Sequence, residues 1–364
     1  MFKLSEAGSI IRKSYNQFEN WRRYSNSRKL ADRLRKKVIK RKGSSVADGK
    51  MIKLIKNYAA SEFGDENYWH WLALYTEIRG EFLEGWIPDD YYAFELIPAL
   101  NPENVSTLSL IKSFDHRLFP GHTIRPEAVR INGHFYNPQY EVISKTDLYN
   151  RLNEFNAEVV IKQDCGPSGT GLVFKHSRDV SESDFRDSFN YVIQPAVEQH
   201  DEMKKLSSSS VNTIRVLTIF EPGRGAECFF TSLKFGISDS RVDNVNMGGR
   251  FLMLDRDGVV TSNPYNELGL ECRECMASGF VYKGFRVPSF RKAVEICKEQ
   301  HLNYPYTRLI AWDVFIDAAS APKIIEWNAR LPGMWVNEAV AGPLWSKRHK
   351  ALVDQRKVIA VNGL

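Results

Sequence analysis

A chain of 364 residues exceeds what one compact core usually organises, so we expect two or three lobes. Hydrophobic residues make up 43% of the chain and aromatic residues 12%, as in a protein with a substantial core. No apolar run approaches the ~20 residues that cross a bilayer, and we expect no signal peptide. Five cysteines, an odd number, argue against a disulfide framework. These features exclude a membrane-spanning or disulfide-stapled protein and predict a cytoplasmic address with reduced thiols.

Positive charge is concentrated at the amino terminus. Residues 1–50 hold 15 Lys/Arg and 4 Asp/Glu, a net charge of +11, which leaves −5 for the rest of the chain. Apolar residues recur at rough helical spacing between Arg12 and Lys42, so residues 1–49 are predicted to be a basic helix or a flexible arm. Such an arm can lie on anionic lipid at the inner face of a membrane or pair with a polyanionic glycan. No nucleic-acid-binding motif accompanies it, so no nucleic-acid partner is expected.

The elements that follow mix helices and strands. A flexible break covers residues 43–49, and Asn132-Gly133 is a hairpin signal. Ser144, three residues before Asp147, resembles the start of a capping box. The predicted helices are Lys50–Gly64, Tyr68–Gly80, Thr107–Leu118, Ser144–Asn156 and Pro288–His301, and the predicted strands include Val159–Lys162, Gly171–Lys175, Tyr191–Val197, Val211–Phe220, Glu227–Gly236 and Arg250–Asp255. Without a regular βαβ rhythm, this order favours an α+β class with largely antiparallel sheets.

A glycine-rich loop, Gly166-Pro-Ser-Gly-Thr-Gly171, follows the strand that ends at Lys162. Glycines let backbone N–H groups approach phosphate oxygens, and the lysine adds a positive charge. The loop is not a Walker A motif, because no Gly-Lys-Ser/Thr closes it and no helix clearly begins there. Taken alone, it is also consistent with an ordinary turn.

Polar residues then recur on or just after strands. The strand Tyr191–Val197 leads into Glu198, where backbone groups can clasp adenine and a carboxylate can hold ribose. Arg215 projects from the next strand, and Arg241–Gly249 supplies a cation, amides and a tight glycine pair.

Cys272 and Cys275 are spaced as a Cys-x-x-Cys pair, which is a common zinc-binding arrangement. A zinc ribbon needs a second pair, and Cys297 is the only later cysteine. A Cys₃His site can be drawn with His301. Because Cys297 and His301 fall in a predicted helix where both are easily structural, we favour free thiols.

Two apolar strands near the carboxyl end carry three hard oxygen ligands. Asp313 lies on the first strand, and Glu326 and Asn328 lie on the second. Alternation places Glu326 and Asn328 on one face of that strand, opposite Ile325 and Trp327. Oxygen ligands without sulfur or imidazole favour Mg²⁺ or Mn²⁺ over zinc. We therefore predict a metal site here, with an ordinary polar β-hairpin as the alternative interpretation.

The order of these pieces resembles that of the ATP-grasp superfamily, over roughly Thr107–Leu344. The pieces follow one another as a lysine at the end of a strand, a glycine-rich loop, a hinge, an arginine on a strand, an Asn…Gly-Gly segment, an aspartate, a Glu-x-Asn pair and a Pro-Gly pair. The phrases SVNTIRVLTIF, VDNVNMGG and IAWDVFIDAASAPKIIEWNARLPG are most similar to the sugar-transfer-associated ATP-grasp group, which is linked to exopolysaccharide and capsule assembly. The resemblance implies two α+β lobes that clasp ATP, with a helical amino-terminal extension.

The resemblance also implies a division of the chain. Its segments are a basic arm over residues 1–49, a helical lead-in over 50–115, a small lobe with a glycine-rich flap over 116–197, a large lobe with the metal site over 198–350, and a tail over 351–364.

Individual roles carry over on the matching motifs. The residues implied to bind ATP are Lys162 at the phosphates, Gly166, Ser168, Gly169 and Gly171 in the flap, Gln194 and Val197 at adenine, and Glu198, with Asp201 as the alternative, at ribose. Those implied to hold two Mg²⁺ ions, or Mn²⁺, are Asp313, Glu326 and Asn328, with Glu326 bridging. Those implied to face the transferred phosphoryl group and the acceptor are Arg215, Asn244 and Arg330.

One departure from the family's pattern concerns the phosphate end. Asp115 is followed by His116, where the family usually has a lysine that reaches the nucleotide. A histidine with an unperturbed pKa of ~6.5 is only partly charged at pH 7. Either Arg117 or Lys112 substitutes, or turnover is weaker than in relatives.

Two further departures are milder. Gln194 replaces an acidic hinge residue, but its amide oxygen can still accept a hydrogen bond from adenine. Lys234 stands where related ligases often have arginine, and a lysine does not offer bidentate recognition.

Three functions are compatible with these features. The leading hypothesis is an ADP-forming ligase that joins a carboxylate to an amine through an acyl phosphate, with a sugar or uronic acid of polysaccharide biosynthesis as the acceptor. The second is an ATP-dependent kinase of a sugar or polyol hydroxyl, which would need a base near the acceptor. The third is a catalytically silent nucleotide-binding subunit that docks a glycan-assembly complex through the basic arm.

Overall fold

The chain divides into two units, each with its own core. The computed structural model describes residues 2–165, 171–237, 240–241, 243–272, 275, 279–345 and 351. The helical unit comprises Met1–Ala99, Leu268–Leu270 and Met334–Leu364, and the sheet unit comprises Leu100–Glu267 and Glu271–Gly333. The α-helices are α1 Phe2–Lys42, α2 Gly49–Phe63, α3 Trp69–Arg79, α4 Asp89–Tyr91, α5 Ile97–Leu100, α6 Glu103–Ser106, α7 Asp115–Leu118, α8 Lys145–Phe155, α9 Asp201–Lys204, α10 Phe290–Asn303 and α11 Trp335–Ala341.

Helix α1 is held in the helical unit by one of its faces. Ala31 and Val38 are fully buried. Arg35 donates to the buried carboxylate of Glu77 at 2.9 Å, and the Lys42 ammonium donates to the Glu77 carbonyl at 2.7 Å. The predicted helical amino-terminal region is therefore confirmed.

The break predicted after α1 is confirmed as well. Helix α1 ends at Lys42, and α2 begins at Gly49, where the Asp48 side chain caps it by accepting from the Met51 N–H at 2.8 Å. An aspartate at this position satisfies a backbone donor that the first helical turn leaves unpaired. Within the described part of the chain, no helix is both long enough and apolar enough to cross a bilayer.

The first sheet of the sheet unit has six antiparallel strands in the order β3-β2-β1-β6-β4-β5. Its strands are β1 Ala128–Ile131, β2 His134–Tyr136, β3 Val142–Ile143, β4 Glu158–Gln163, β5 Leu172–His176 and β6 Tyr191–Pro195. The predicted hairpin at Asn132-Gly133 joins β1 to β2, with both turn residues at positive φ. Ser144 and Asp147 form the predicted capping box of α8, whose Leu148 packs into the core beneath this sheet.

The second sheet has five antiparallel strands in the order β11-β10-β7-β8-β9. Its strands are β7 Thr213–Glu221, β8 Gly225–Phe235, β9 Arg250–Met253, β10 Leu309–Ile316 and β11 Pro322–Asn328. Helix α10 covers one face, where Ala293 and Cys297 are fully buried against the sheet core. The two antiparallel sheets with helices on their faces confirm the predicted α+β class.

The helix predicted over Thr107–Leu118 is not continuous. Ile111 leaves the helical region at φ −100°, ψ 82°, and separates the 3₁₀ turn Thr107–Leu110 from a second 3₁₀ turn, Lys112–Phe114, which leads into α7. Tertiary hydrogen bonds compete with the helix here. The Asp164 carboxylate accepts from the Ser113 N–H at 2.8 Å, and the Leu110 carbonyl accepts from the Cys165 N–H at 2.9 Å.

The Cys₃His site that the sequence allowed does not form. Both ring nitrogens of His301 are used, by the Thr218 hydroxyl at 2.7 Å and the Thr307 carbonyl at 2.9 Å. Cys272, Cys275 and Cys297 are free thiols in the core of the sheet unit. Among the described residues, no group of three or more His, Cys, Asp or Glu side chains is arranged for a metal.

The side chain of Asn101 forms hydrogen bonds that link the two strands carrying the candidate metal ligands. Its side chain is 2% exposed and donates to the Leu309 and Ala329 carbonyls, while its oxygen accepts from the Arg308 and Leu309 N–H groups at 3.0 Å. We predict that Asn101→Ala lowers the free energy of unfolding by about 3 kcal/mol, because several buried backbone groups lose their partner. Urea denaturation of the variant measures this loss.

Asn153→Ala is the matched control, because Asn153 is exposed on α8. Its stability should change by less than about 0.5 kcal/mol. Equal losses in the two variants would show that the Asn101 bonds are not what holds these strands.

Candidate nucleotide and metal site

One face of the six-stranded sheet is polar. Ile161 and Ile193 point into the core beneath α8. Because side chains alternate along a strand, Lys162 on β4 and Gln194 on β6 lie on the opposite face. The strands pair antiparallel with Lys162 opposite Val192, so the lysine and the glutamine lie close on that face.

The five-stranded sheet also has one polar face. Ile214, Trp312 and Val314 belong to its core. The register pairs Arg215 with Asp313 and Asp313 with Glu326, which places these three side chains in one row across β7, β10 and β11. The same face carries Lys234, opposite Thr213, and Asn328, opposite Ala311.

A β-bulge in β11 sets this arrangement. The register passes from Asp313 opposite Glu326 to Val314 opposite Ile324, so Ile325 is the extra residue. Ile324 and Trp327, three residues apart, are both in the core. Strict alternation would have placed Ile324 on the side of Glu326. Because of the bulge, Ile324 faces the core instead, and the apolar face beneath the polar one is continuous.

Asp313 is the centre of a buried ionic cluster. It is 3% exposed, and the Arg215 guanidinium donates to both of its oxygens, at 2.7 and 3.0 Å. The Lys234 ammonium lies 3.0 Å from Asp313 and 3.8 Å from Asp243. Burial alone would raise the pKa of Asp313, but the positive charges of Arg215 and Lys234 hold it below its ordinary value. Asp243 also accepts a hydrogen bond from the Thr213 hydroxyl.

Glu326 and Asn328 complete a donor set for a hard cation. Neither side chain has a hydrogen-bond partner among the described residues, so their oxygens are available. Together with Asp313 they offer carboxylate and amide oxygens from two adjacent strands, which is the ligand chemistry that Mg²⁺ takes in proteins. Glu326 and Asn328 therefore fit the predicted metal, whereas both Asp313 oxygens already accept hydrogen bonds from Arg215.

Lys162 lies within electrostatic reach of this cluster. Burial lowers the pKa of Lys162 to about 8, against the negative charges of Glu326 and Asp115, and the nearby Lys112 adds to the lowering. Burial also raises the pKa of Asp115 to about 8, although the Trp327 indole donates to it at 2.8 Å. Lys162 and Asp115, whose pKa values are both about 8, thus lie where the polar faces of the two sheets meet.

The surroundings of His116 bear on the departure there. Burial lowers the pKa of His116 and Arg125 lowers it further, and both favour the neutral imidazole. Of the two cations that the sequence left open, Arg117 stacks over the Tyr140 ring at 4.9 Å. The charge of Lys112, by contrast, acts on Lys162, so Lys112 stays the candidate for the missing lysine.

A cleft of about 720 Å³ adjoins the hinge, a volume within the usual range for small-molecule sites. Val197, Glu198 and Phe315 line it. The Gln194 amide group donates to the Ile124 carbonyl at 3.0 Å, which leaves its oxygen as the acceptor, as predicted for adenine. Lys204 contacts both candidate ribose carboxylates, Glu198 at 2.9 Å and Asp201 at 3.0 Å, and only Glu198 lines the cleft.

The other predicted site residues are placed as follows. Gly166, Ser168 and Gly169 lie outside the described residues, and Gly171 adopts φ +78°. The Asn244 carbonyl accepts from the Gly249 N–H, and a side chain at Gly249 would meet the Asp243 carbonyl oxygen at 2.5 Å.

The Arg330 side chain does not point toward the ionic cluster. Its guanidinium donates to Glu103 at 2.9 Å on an exposed surface, and within the described chain this is the hydrogen bond that the side chain makes.

Sequence reasoning missed Asp243, Phe315 and the ionic role of Lys234. Phe315 is two residues beyond Asp313 and could have been found by alternation. Asp243 lies in the segment VDNVNMGG, which attracted notice for its amides and glycines rather than for its carboxylate. Lys234 could not have been assigned to Asp313 without the strand order, which places β7 between β8 and β10.

Comparisons with known proteins bear on this geometry. The sequence matches the family described as sugar-transfer associated ATP-grasp over residues 126–352. This match confirms the predicted resemblance and the ATP-grasp fold. A search of curated proteins finds no significant match.

Several solved structures are similar to the chain at low identity. They include the ATP-grasp ligase PsnB with a precursor variant, Mg and ADP (10% identity, TM-score 0.40, covering 71% of this chain and 61% of PsnB), the D-cycloserine synthetase DcsG (15%, 0.40, 71% and 73%) and the D-alanine-D-alanine ligase of Coxiella burnetii (9%, 0.38, 73% and 60%). The chain thus matches less than two thirds of the length of PsnB.

The lowered pKa of Lys162 predicts a pH dependence of nucleotide binding. Bound phosphates favour the charged lysine, so binding takes up a proton above pH 8 and affinity falls as the pH rises. We expect the Kd for Mg-ADP to rise by about tenfold between pH 7 and 9. Isothermal titration calorimetry across this range measures the effect.

Two variants separate the groups that titrate here. Lys162→Arg keeps its charge throughout and should lose most of the pH dependence, whereas Asp115→Asn, which removes the second group, should retain most of it. An unchanged profile in Lys162→Arg would contradict the assignment of Lys162 to the phosphates.

Proposed function

Because the chain belongs to the sugar-transfer associated ATP-grasp family, we propose that it is an ADP-forming ligase that joins a carboxylate to an amine. The γ-phosphoryl group of ATP passes to the acceptor carboxylate and gives an acyl phosphate and ADP. The amine then attacks the acyl carbon, an amide forms and inorganic phosphate leaves. The observation that carries this proposal is the row Arg215–Asp313–Glu326, which faces the same space as Lys162.

ATP would bind between the polar faces of the two sheets. Lys162 would meet the phosphates, beneath the flap that includes Gly171. Gln194 and Val197 would meet adenine, the former through the oxygen that its bond to Ile124 leaves available. Glu198 is preferred over Asp201 for ribose, because it lines the cleft.

Asp313, Glu326 and Asn328 would hold Mg²⁺, with two ions proposed and Mn²⁺ as a substitute. When bound, the metal neutralises charge on the ATP phosphates. Arg215 and Lys234 add fixed positive charge beside this position, and their bonds to Asp313 hold them in place before ATP arrives. Such positioned charge supplies most of the catalysis of phosphoryl transfer.

Arg215 and Asn244 are the groups proposed to face the transferred phosphoryl group. Arg330 is kept as a proposed acceptor contact, and it would have to exchange its bond with Glu103 to serve. The acceptor carboxylate is proposed to belong to a sugar or uronic acid of exopolysaccharide or capsule biosynthesis. The support for this choice is the family's description as sugar-transfer associated.

Trapping the intermediate tests the reaction. Purified protein would be incubated with Mg-ATP, hydroxylamine and a cell metabolite or glycan extract, and the products analysed by mass spectrometry. A hydroxamate that forms only with ATP supports the ligase and identifies the carboxylate. A stable phosphate ester without hydroxamate would indicate the kinase instead, and ATP binding without any product would favour the silent subunit.

Two substitutions on the same face should both lower turnover but should differ in their effect on stability. Glu326→Gln should lower turnover at least about 100-fold while changing stability by less than about 1 kcal/mol, since the carboxylate has no hydrogen-bond partner in the described chain. Asp313→Asn should also abolish turnover, but with a loss of about 3 kcal/mol, because it leaves Arg215 and Lys234 uncompensated. Urea denaturation and ADP release measure both. Near-wild-type turnover in Glu326→Gln would refute the metal site.

A further inference from the structure

The outward side of helix α1 carries a stripe of cations that the fold does not use. In a helix each residue turns by about 100°, so Lys29, Arg33, Lys36 and Lys40 lie along one side. All four side chains are exposed, and none makes an ion pair with a described residue. We call this stripe the basic face of α1.

The cations on the opposite side of the helix have structural partners. Arg28 pairs with Asp65 at 3.0 Å, and Arg35 pairs with Glu77 at 2.9 Å. The only acidic residue between positions 20 and 47 is Asp32, which pairs with His70 at 2.8 Å on the side of the helical unit. The helix is thus divided into a side that packs through compensated charges and a side whose positive charge is uncompensated.

Two large apolar side chains border the basic face. Trp21 is 65% exposed and Leu30 is 41% exposed. By the helical rotation they lie about 90° to either side of the middle of the stripe and point in opposite directions. A soluble polyanion requires cations alone. The boundary between lipid headgroups and acyl chains accommodates tryptophan and leucine as well as lysine and arginine.

We propose that the basic face of α1 binds an anionic phospholipid surface and places the protein peripherally on a membrane. The stripe from Lys29 to Lys40 spans about 17 Å along the helix and would lie flat on the headgroups. Each lysine or arginine near an anionic surface strengthens membrane partitioning by about fivefold, an attraction that salt screens over about 8 Å at physiological ionic strength. This binding is independent of the proposed ligase activity, because the residues involved lie in the helical unit.

Vesicle cosedimentation of the full chain tests the proposal. One set of vesicles is phosphatidylcholine alone and the other is phosphatidylcholine mixed with phosphatidylglycerol. We expect binding to the mixed vesicles only, and loss of that binding when the salt is raised to about 1 M, where the screening length falls to about 3 Å. Equal binding to both sets, or salt-insensitive binding, would overturn the electrostatic assignment.

A matched pair of variants locates the surface. Lys29→Gln/Arg33→Gln/Lys36→Gln/Lys40→Gln should weaken binding by at least about tenfold, since glutamine keeps helix propensity but not charge. The control, Arg256→Gln/Lys283→Gln/Arg286→Gln/Lys292→Gln, removes the same charge from exposed positions of the sheet unit and should bind as the wild type does. Equal losses in both variants would mean that net charge, not this face, determines binding.

A second variant distinguishes lipid from other polyanions. Trp21→Ala/Leu30→Ala should weaken vesicle binding by about threefold or more while leaving the net charge unchanged. Binding to soluble polygalacturonate in the absence of vesicle binding would overturn the proposal in favour of a glycan partner. Circular dichroism and Mg-ADP binding confirm that each variant is folded, so a failure on vesicles is separable from a failure of the ligase assay.

Discussion

The carboxylate of Asp313 is buried with two cations, Arg215 and Lys234, at hydrogen-bonding distance. Removing three charged groups from water is costly, and such clusters are often less stabilising than apolar residues of the same size. Their presence on a sheet face that could have been apolar is therefore best explained by function. The cluster orients Arg215, keeps Asp313 ionised, and lies in one row with Glu326, the proposed metal ligand.

A second group of interacting buried charges lies where the row Arg215–Asp313–Glu326 meets the six-stranded sheet. Lys162, Asp115 and Glu326 act on one another in a site that burial desolvates, and two of them have pKa values of about 8. Groups in this condition respond strongly to an incoming polyanion, because binding changes both their charge and their hydration. Burial and Arg125 lower the pKa of His116, and the charge of Lys112 acts on Lys162.

In the helical unit, the cations of helix α1 differ in whether a carboxylate compensates their charge. Arg28 and Arg35 of α1 are compensated by carboxylates, so they contribute to packing. Lys29, Arg33, Lys36 and Lys40, on the other side of the same helix, face solvent without a described ion pair. One basic segment thus serves both as a structural element and as a charged surface, and the distinction depends on which side of the helix each residue occupies.

Local periodicity was sufficient to predict the α+β class, the capping box at Ser144, the hairpin at Asn132-Gly133 and the shared face of Glu326 and Asn328, because these depend on neighbours within a few residues. It could not predict the bulge at Ile325, the pairing of Lys234 with Asp313, or the direction of Arg330. Those features depend on strand register and on partners far apart in the chain. Desolvation, which sets the charge of Lys162, Asp115 and His116, exists only once the sheets are packed, so the tertiary structure alone decided it.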